Sequence, residues 1–197
     1  MTNYPINPQK IEGNWRAGWA LDVHTISSSP LPDGSFDTVR SYLGELLYQL
    51  KYRQDQKVIV PIAEIVAPFI QNLLVYQYLS AIIPIPPSNT DRPFQPVYEI
   101  ARAIGDMINL PVPLDYLVKI KSTEQLKAVE DLETRKQLLQ GAMQVTDRQR
   151  FRGRYILLFD DLYRSGATLM TATDVLANEG GVARIFVLTL TRTRTKK

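Results

Sequence analysis

Apolar positions along the chain repeat with two periods, and the period switches back and forth. The run Tyr155-Ile-Leu-Leu-Phe is continuous, as in a strand buried on both faces. Residues 81–85 and 183–190 read the same way. Residues 19–25 alternate, which predicts a strand or hairpin within 13–26, the segment that holds Trp15 and Trp19. Elsewhere the spacing is helical. Val39, Leu43, Leu46, Leu47 and Leu50 form one stripe, with Asp37 as its expected cap and Lys51 and Arg53 at its positive end. Ile62, Ile65, Val66, Phe69, Ile70 and Leu73 form a second. Pro61 suits its first turn, and Pro68 is expected to kink or divide it. Residues 98–108 and 169–179 predict two further helices, the last stopped by Gly180 and Gly181. Residues 112–120 mix a short strand with a connector, and 27–34 (SSSPLPDG) read as a turn-rich loop.

Strands alternating with helices predict an α/β fold: a doubly wound, mostly parallel sheet flanked by helices. Residues 1–36 differ in character and are expected to form a strand-and-loop extension to an α/β domain spanning 37–197. Residues 121–140, rich in Lys, Glu and Gln, are expected as a mobile segment or an exposed helix.

Composition narrows the class without naming a function. The 197 residues suffice for one domain with a real core. Apolar content of 45% and charged content of 22% fit a soluble globular chain. The apolar-rich stretch 58–79 is broken by Glu64, Gln71 and Asn72, so no membrane span is expected. The first ten residues hold no signal-peptide core, and the chain has no cysteine. Disulfides and thiolate metal sites are thereby excluded, and a cytoplasmic location is the default expectation. A net charge of +3 does not by itself mark a nucleic-acid binder.

The chemistry concentrates where the 155–159 strand ends. Asp160 and Asp161 follow it, then a short loop with Arg164, Ser165, Gly166, Ala167 and Thr168, then the helix. Open α/β sheets bind ligands at such carboxyl ends. Free N–H groups at a helix start favour a phosphate. The acids would repel a bare phosphate but can accept hydrogen bonds from sugar hydroxyls. Together they suggest a sugar phosphate.

The run FDDLYRSGAT (159–168) resembles the PRPP (5-phosphoribosyl-1-pyrophosphate) motif of type I phosphoribosyltransferases. The resemblance implies that Asp160 and Asp161 are the catalytic-site acids binding the ribose 2- and 3-hydroxyls. It implies that Arg164, Ser165, Gly166, Ala167 and Thr168 hold the 5-phosphate. Tyr163 and Arg164 depart from the motif. Some purine-using relatives carry an acid, proposed as a base, at the Arg164 position; an arginine cannot act as a base at neutral pH, which argues against purine salvage. In the same family an early strand ends in a pyrophosphate loop with an unusual, sometimes cis, peptide. The corresponding run here is Ala81-Ile-Ile-Pro-Ile-Pro-Pro-Ser88, and Pro86-Pro87 makes a cis bond affordable at about 0.5–1 kcal/mol. Pyrophosphate contacts are then expected from the loop at Pro87, Ser88, Asn89, Thr90 and Arg92.

The wider pattern resembles the ComF family, a phosphoribosyltransferase-like branch tied to DNA uptake in competent bacteria. It covers about residues 43–192 through LLYQLKYR (46–53), the 82–105 segment, the 122–145 segment and the acid-pair strand. Thr123, Gln125 and Arg135 match common family positions, and Pro96 departs. Many members begin with a cysteine zinc ribbon, which this chain lacks. The 121–140 segment resembles the hood that closes over PRPP, with Arg135 as the expected pyrophosphate contact beside Lys121 and Lys136.

The function so implied is phosphoribosyl transfer from PRPP to an unnamed nucleophile, with a nucleobase among the candidates and pyrophosphate released. Mg2+ is the implied cofactor, held by Asp160 and Asp161 only indirectly, through PRPP or water. Two rival classes stay open: a non-catalytic PRPP or nucleotide sensor, and an accessory factor for DNA uptake or processing with single-stranded DNA or a helicase as partner. The TRTRTKK tail (191–197) either meets nucleic acid or has no partner. A homodimer is also left open. His24, the lone histidine, reads as structural or merely exposed rather than catalytic. Trp15 and Trp19 read as packing residues, with stacking on a base or partner as the alternative. Lys51 and Arg53 read as solvated helix-end charges, with the cleft as the alternative.

Overall fold

The structure, a computed structural model, describes residues 6–89, 93–121 and 141–194. Its main sheet has five strands in the order β1-β2-β9-β8-β5. These are β1 (Gln9–Lys10), β2 (Ala17–Val23), β5 (Leu79–Pro84), β8 (Tyr155–Tyr163) and β9 (Arg184–Arg192). β2, β9, β8 and β5 run parallel, and β1 is an antiparallel edge. Residues 1–36, expected as an extension, thus contribute two strands to the main sheet.

Side-chain alternation explains why the first half of β8 is continuously apolar. Ile156 and Leu158 enter one core, while Leu157 and Phe159 enter the core on the opposite face. β9 divides likewise, with Ile185 and Val187 on one side and Phe186, Leu188 and Leu190 on the other. Helices α1 (Tyr42–Tyr52), α2 (Ile59–Gln71) and α3 (Pro96–Ile108) cover the Leu157 face. Helix α4 (Ala167–Asn178) and the β6 (Leu117–Lys119)/β7 (Met143–Val145) pair cover the Ile156 face. The chain leaves β5 toward α3 on one face and leaves β8 toward α4 on the other. The β5–β8 junction is therefore a topological switch point, where a crevice opens beyond the strand ends.

Three local expectations need correction. Residues 27–34 are not a loop throughout: β3 (Thr25–Pro30) pairs antiparallel with β4 (Phe36–Arg40), and only the turn at Gly34 lies between them. The serine run is polar because the ribbon is exposed, so it shows no apolar alternation. Asp37 does not cap α1, since it pairs with Ser29 in the ribbon. Ser41 is the cap: its Oγ accepts from Gly44 N at 3.0 Å and donates to Val23 O at 2.5 Å. That second bond ties the start of α1 to the end of β2. Pro68 does not divide α2, which runs through it. Burial of Ile62, Ala63, Val66 and Ile70 outweighs the one backbone bond that Pro68 cannot donate. Among the described residues, no helix is long and apolar enough to cross a membrane.

Candidate active site

β8 does not stop at its apolar run but continues through both acids to Tyr163. Alternation therefore aims them apart. Asp160 shares the Ile156–Leu158 face, toward α4 and β6, and Asp161 shares the Leu157–Phe159 face, toward α1. Asp161 is 7% exposed, and its Oδ2 lies 2.5 Å from Lys51 Nζ in the last turn of α1. Asp160 is half-buried, and its Oδ1 accepts from Asp161 N at 2.9 Å. Burial and the neighbouring Asp161 carboxylate push the Asp160 carboxyl up to about 7, against the pull of Lys51 and Lys119. Burial alone would lower the Lys51 ammonium, but the Asp161 carboxylate reverses this, and its pKa stands above the ordinary lysine value. Lys119 has no such partner at ion-pair distance among the described residues. Burial holds it below the ordinary value, with Asp160 opposing, and its Nζ donates to Ser88 Oγ at 3.0 Å.

Two cavities meet at Asp160. The small one is lined by Asp160 and the 162–169 segment, which contains Arg164, Ser165, Gly166, Ala167 and Thr168. Gly166 sits in the left-handed region, at φ +79, and is the N-cap of α4 without a side-chain cap bond. The first N–H groups of α4 lie at this turn and have no intrahelical partner. A Cβ on Gly166 would lie 3.0 Å from Tyr163 Cε2 and 3.3 Å from Met170 Cε. Arg164 is exposed. The large cavity, an open cleft of about 940 Å³, is walled by the end of α1, the loop after β5, the start of α3 and both acids. Pro87, Ser88 and Asn89 line it. Ile85 N donates to Phe159 O at 2.8 Å, fastening the loop to β8, and Gln95 Nε2 donates to Asn89 O at 2.8 Å.

The sequence-derived candidates divide accordingly. Asp160 and the 164–168 turn line the small cavity, and Asp160, Asp161, Pro87, Ser88 and Asn89 line the large cleft. Thr90, Arg92, Arg135 and Lys136 lie outside the described residues. No peptide bond among the described residues is cis, so the Pro86-Pro87 bond is trans. Lys51 corrects the solvated-charge reading: it follows Leu50, on the border of the buried stripe, and that border position carries it to Asp161. Lys119 was missed, because a three-residue strand offers no periodic signal. Tyr52, Phe94 and Tyr98 also line the cleft.

His24 lines neither cavity. Its Nδ1 is 3.4 Å from Thr191 Oγ1, and burial with Lys51 and Arg40 nearby holds its imidazole below the ordinary value. Trp15 and Trp19 pack within the protein. Trp15 Nε1 donates to Ile11 O at 3.1 Å, and Trp19 meets Phe69 edge-on.

The acid pair can hold a divalent cation only in a limited way. Asp161 is paired with Lys51, and among the described residues no group of three or more His, Cys, Asp or Glu side chains could hold a metal. The donor set fits a magnesium ion that arrives on a phosphate and keeps its waters, not one caged by protein alone.

No family model matches this chain, and no curated protein matches it. Solved structures do resemble it at low identity. An orotate phosphoribosyltransferase from Aeropyrum pernix is 13% identical over 86% of this chain and 76% of its own, with a TM-score of 0.47. An adenine phosphoribosyltransferase from Leishmania tarentolae is 10% identical over 94% of each chain, with a TM-score of 0.48. The UMP synthase of Leishmania donovani is 16% identical over 84% of this chain, with a TM-score of 0.42; this chain spans 28% of its length.

Proposed function

We propose that the protein binds PRPP across the two cavities and transfers its phosphoribosyl group to an acceptor in the large cleft. The observation that carries this reading is that Asp160 lines both cavities. One ligand can then rest its 5-phosphate on the 164–168 turn, offer its ribose hydroxyls to Asp160 and Asp161, and present its anomeric carbon to the cleft. The bond from that carbon to the pyrophosphate oxygen breaks, and the electron pair leaves with pyrophosphate. The acceptor's lone pair forms the new bond, and its displaced proton passes to water or to the departing pyrophosphate. The carboxylates fix the sugar and favour the cation-like carbon. Lys119 with Ser88 and Asn89 stands where the leaving group would depart, with Arg92 and Arg135 as further proposed contacts. Magnesium bound to the pyrophosphate would supply charge neutralisation, with Asp160 and Asp161 holding it through ligand or water. The ComF likeness of the sequence belongs with this reading.

Calorimetry with ribose 5-phosphate and with PRPP plus magnesium tests binding, and pyrophosphate release with an acceptor panel tests turnover. Asp160→Asn with Asp161→Asn should abolish most binding while circular dichroism stays native. Unchanged affinity in that double variant would overturn the assignment. PRPP binding without pyrophosphate release for any acceptor would favour a PRPP sensor.

A further inference from the structure

Gln54 stands in the wall of the large cleft with φ +55. It is one of two non-glycine residues at positive φ among the described residues, and both end helices: Gln54 follows the Arg53 C-cap of α1, and Asn109 is the C-cap of α3, where asparagine is the commoner choice. The conformation itself is needed. Gln49 O accepts from Arg53 N at 3.0 Å and from Asp55 N at 3.2 Å, and the chain turns between them at Gln54. Glycine would make that turn without strain, whereas a residue with a Cβ is disfavoured there. Gln54 is exposed, and its amide makes no hydrogen bond among the described residues, so it is open to a ligand. A disfavoured backbone conformation, of a kind that clusters at ligand-binding positions, thus presents a solvent-facing amide at the cleft wall.

The rest of the wall tells what the amide could meet. Among the described lining residues, charge is confined to Lys51, Asp160 and Asp161, and Lys51 is already paired with Asp161. Tyr52, Phe94 and Tyr98 bring aromatic side chains to the wall, Tyr52 backed by Tyr48 and Phe94 by the core. Among the described lining residues a carboxylated acceptor meets no unpaired cation, and Lys119, bonded to Ser88, is assigned to the leaving group; a neutral flat ring meets aromatic side chains. We infer that Gln54 is a specificity residue for the acceptor. It reads the N–H/C=O edge of a neutral, planar, cyclic-amide ring, donating through its Nε2 and accepting through its Oε1. This rests on the phosphoribosyl-transfer reading.

The test titrates the full chain with ribose 5-phosphate, uridine 5′-monophosphate and orotidine 5′-monophosphate. The second adds a neutral cyclic-amide ring to the first, and the third adds a carboxylate to that ring. Uridine 5′-monophosphate should bind more tightly than ribose 5-phosphate, and orotidine 5′-monophosphate should not. Gln54→Gly should lose about threefold to tenfold of the uridine 5′-monophosphate affinity, the share of one hydrogen bond, and leave ribose 5-phosphate binding unchanged. Its Tm should rise, because the strain is gone. Ribose 5-phosphate binding without any gain from the uracil ring, or a gain that Gln54→Gly leaves intact, would overturn the inference alone. No binding of ribose 5-phosphate at all would overturn the transfer reading, and this inference with it.

Discussion

Lys51 Nζ and Asp161 Oδ2 form an ion pair at 2.5 Å, between the last turn of α1 and the carboxyl end of β8. It joins a residue at the end of one helical stripe to an acid 110 positions later, and both residues line the large cleft. The side chains are 31% and 10% exposed, so the pair is neither fully solvated nor fully dry. The electrostatic strain of two adjacent acids shows on Asp160, whose carboxyl is pushed up by burial and by the Asp161 carboxylate.

Removing the ammonium should expose that arrangement. Lys51→Met leaves the Asp161 carboxylate with little compensation and should cost on the order of 1–3 kcal/mol. Lys51→Met combined with Asp161→Asn should recover most of it, because the unpaired Asp161 charge is removed together with its partner. Urea denaturation of the two single variants and the double variant checks this as a double-mutant cycle. Additive losses would mean that the pair does not couple in solution.

Asp160 gives a pH dependence with a definite sign. Its folded pKa, about 7, lies above the unfolded value of 3.8. Between the two, the folded protein holds the proton more than the unfolded chain does. Its contribution to stability therefore falls as pH rises from about 4 to about 7, and is constant above. Asp160→Asn should gain stability relative to the parent across this window, with the difference levelling off past pH 7. Denaturation midpoints at pH 5, 6, 7 and 8 measure it, and a difference independent of pH would contradict the raised pKa.

The turn at Gly166 should tolerate loss of a methyl far better than gain of a side chain. Gly166→Val must adopt φ +79 and push a Cβ to within 3.0 Å of Tyr163. Thr168→Ser keeps its hydroxyl. Ribose 5-phosphate affinity, read by calorimetry on folded protein, should drop at least tenfold in the first variant and by less than threefold in the second. Equal affinities would mean that phosphate does not rest on this turn.

How legible this arrangement is depends on how local its cause is. The β8–α4 unit can be read from a single stretch, because a doubly buried strand is continuously apolar and a glycine marks the turn. The parallel sheet follows from the alternation of elements. What escapes is set by distance in sequence or by polarity. Lys119 reaches Ser88 only after β6 folds against the β5 loop, and the β3–β4 ribbon buries too little to leave an apolar pattern. The packing of Trp15 is legible in outline only, since its role depends on Tyr163, far along the chain.

That last contact supports a spectroscopic prediction. Trp15 meets Tyr163 edge-on at 6.5 Å, and the Tyr163 hydroxyl donates to Glu12 O at 3.3 Å. Tyr163 in turn covers Gly166, and Asn14 Nδ2 donates to Met170 O at 2.9 Å and to Asp174 Oδ1 at 2.7 Å. The indole is fitted tightly here: a Cβ on Gly13 would fall 2.3 Å from its ring, and one on Gly18 would fall 2.5 Å from its Nε1. The N-terminal segment thereby braces the turn that the phosphate is proposed to occupy. Phosphate binding should alter the surroundings of Trp15, while Trp19, packed against Phe69 on the other face of the sheet, should be insensitive. In Trp19→Phe, ribose 5-phosphate should shift the remaining tryptophan emission with the same Kd that calorimetry gives. In Trp15→Phe the response should vanish while binding persists, weakened by threefold or less because a ring still fills the socket. A ligand-induced shift that survives in Trp15→Phe and disappears in Trp19→Phe would place the responding surface on the α1–α3 face and contradict the brace.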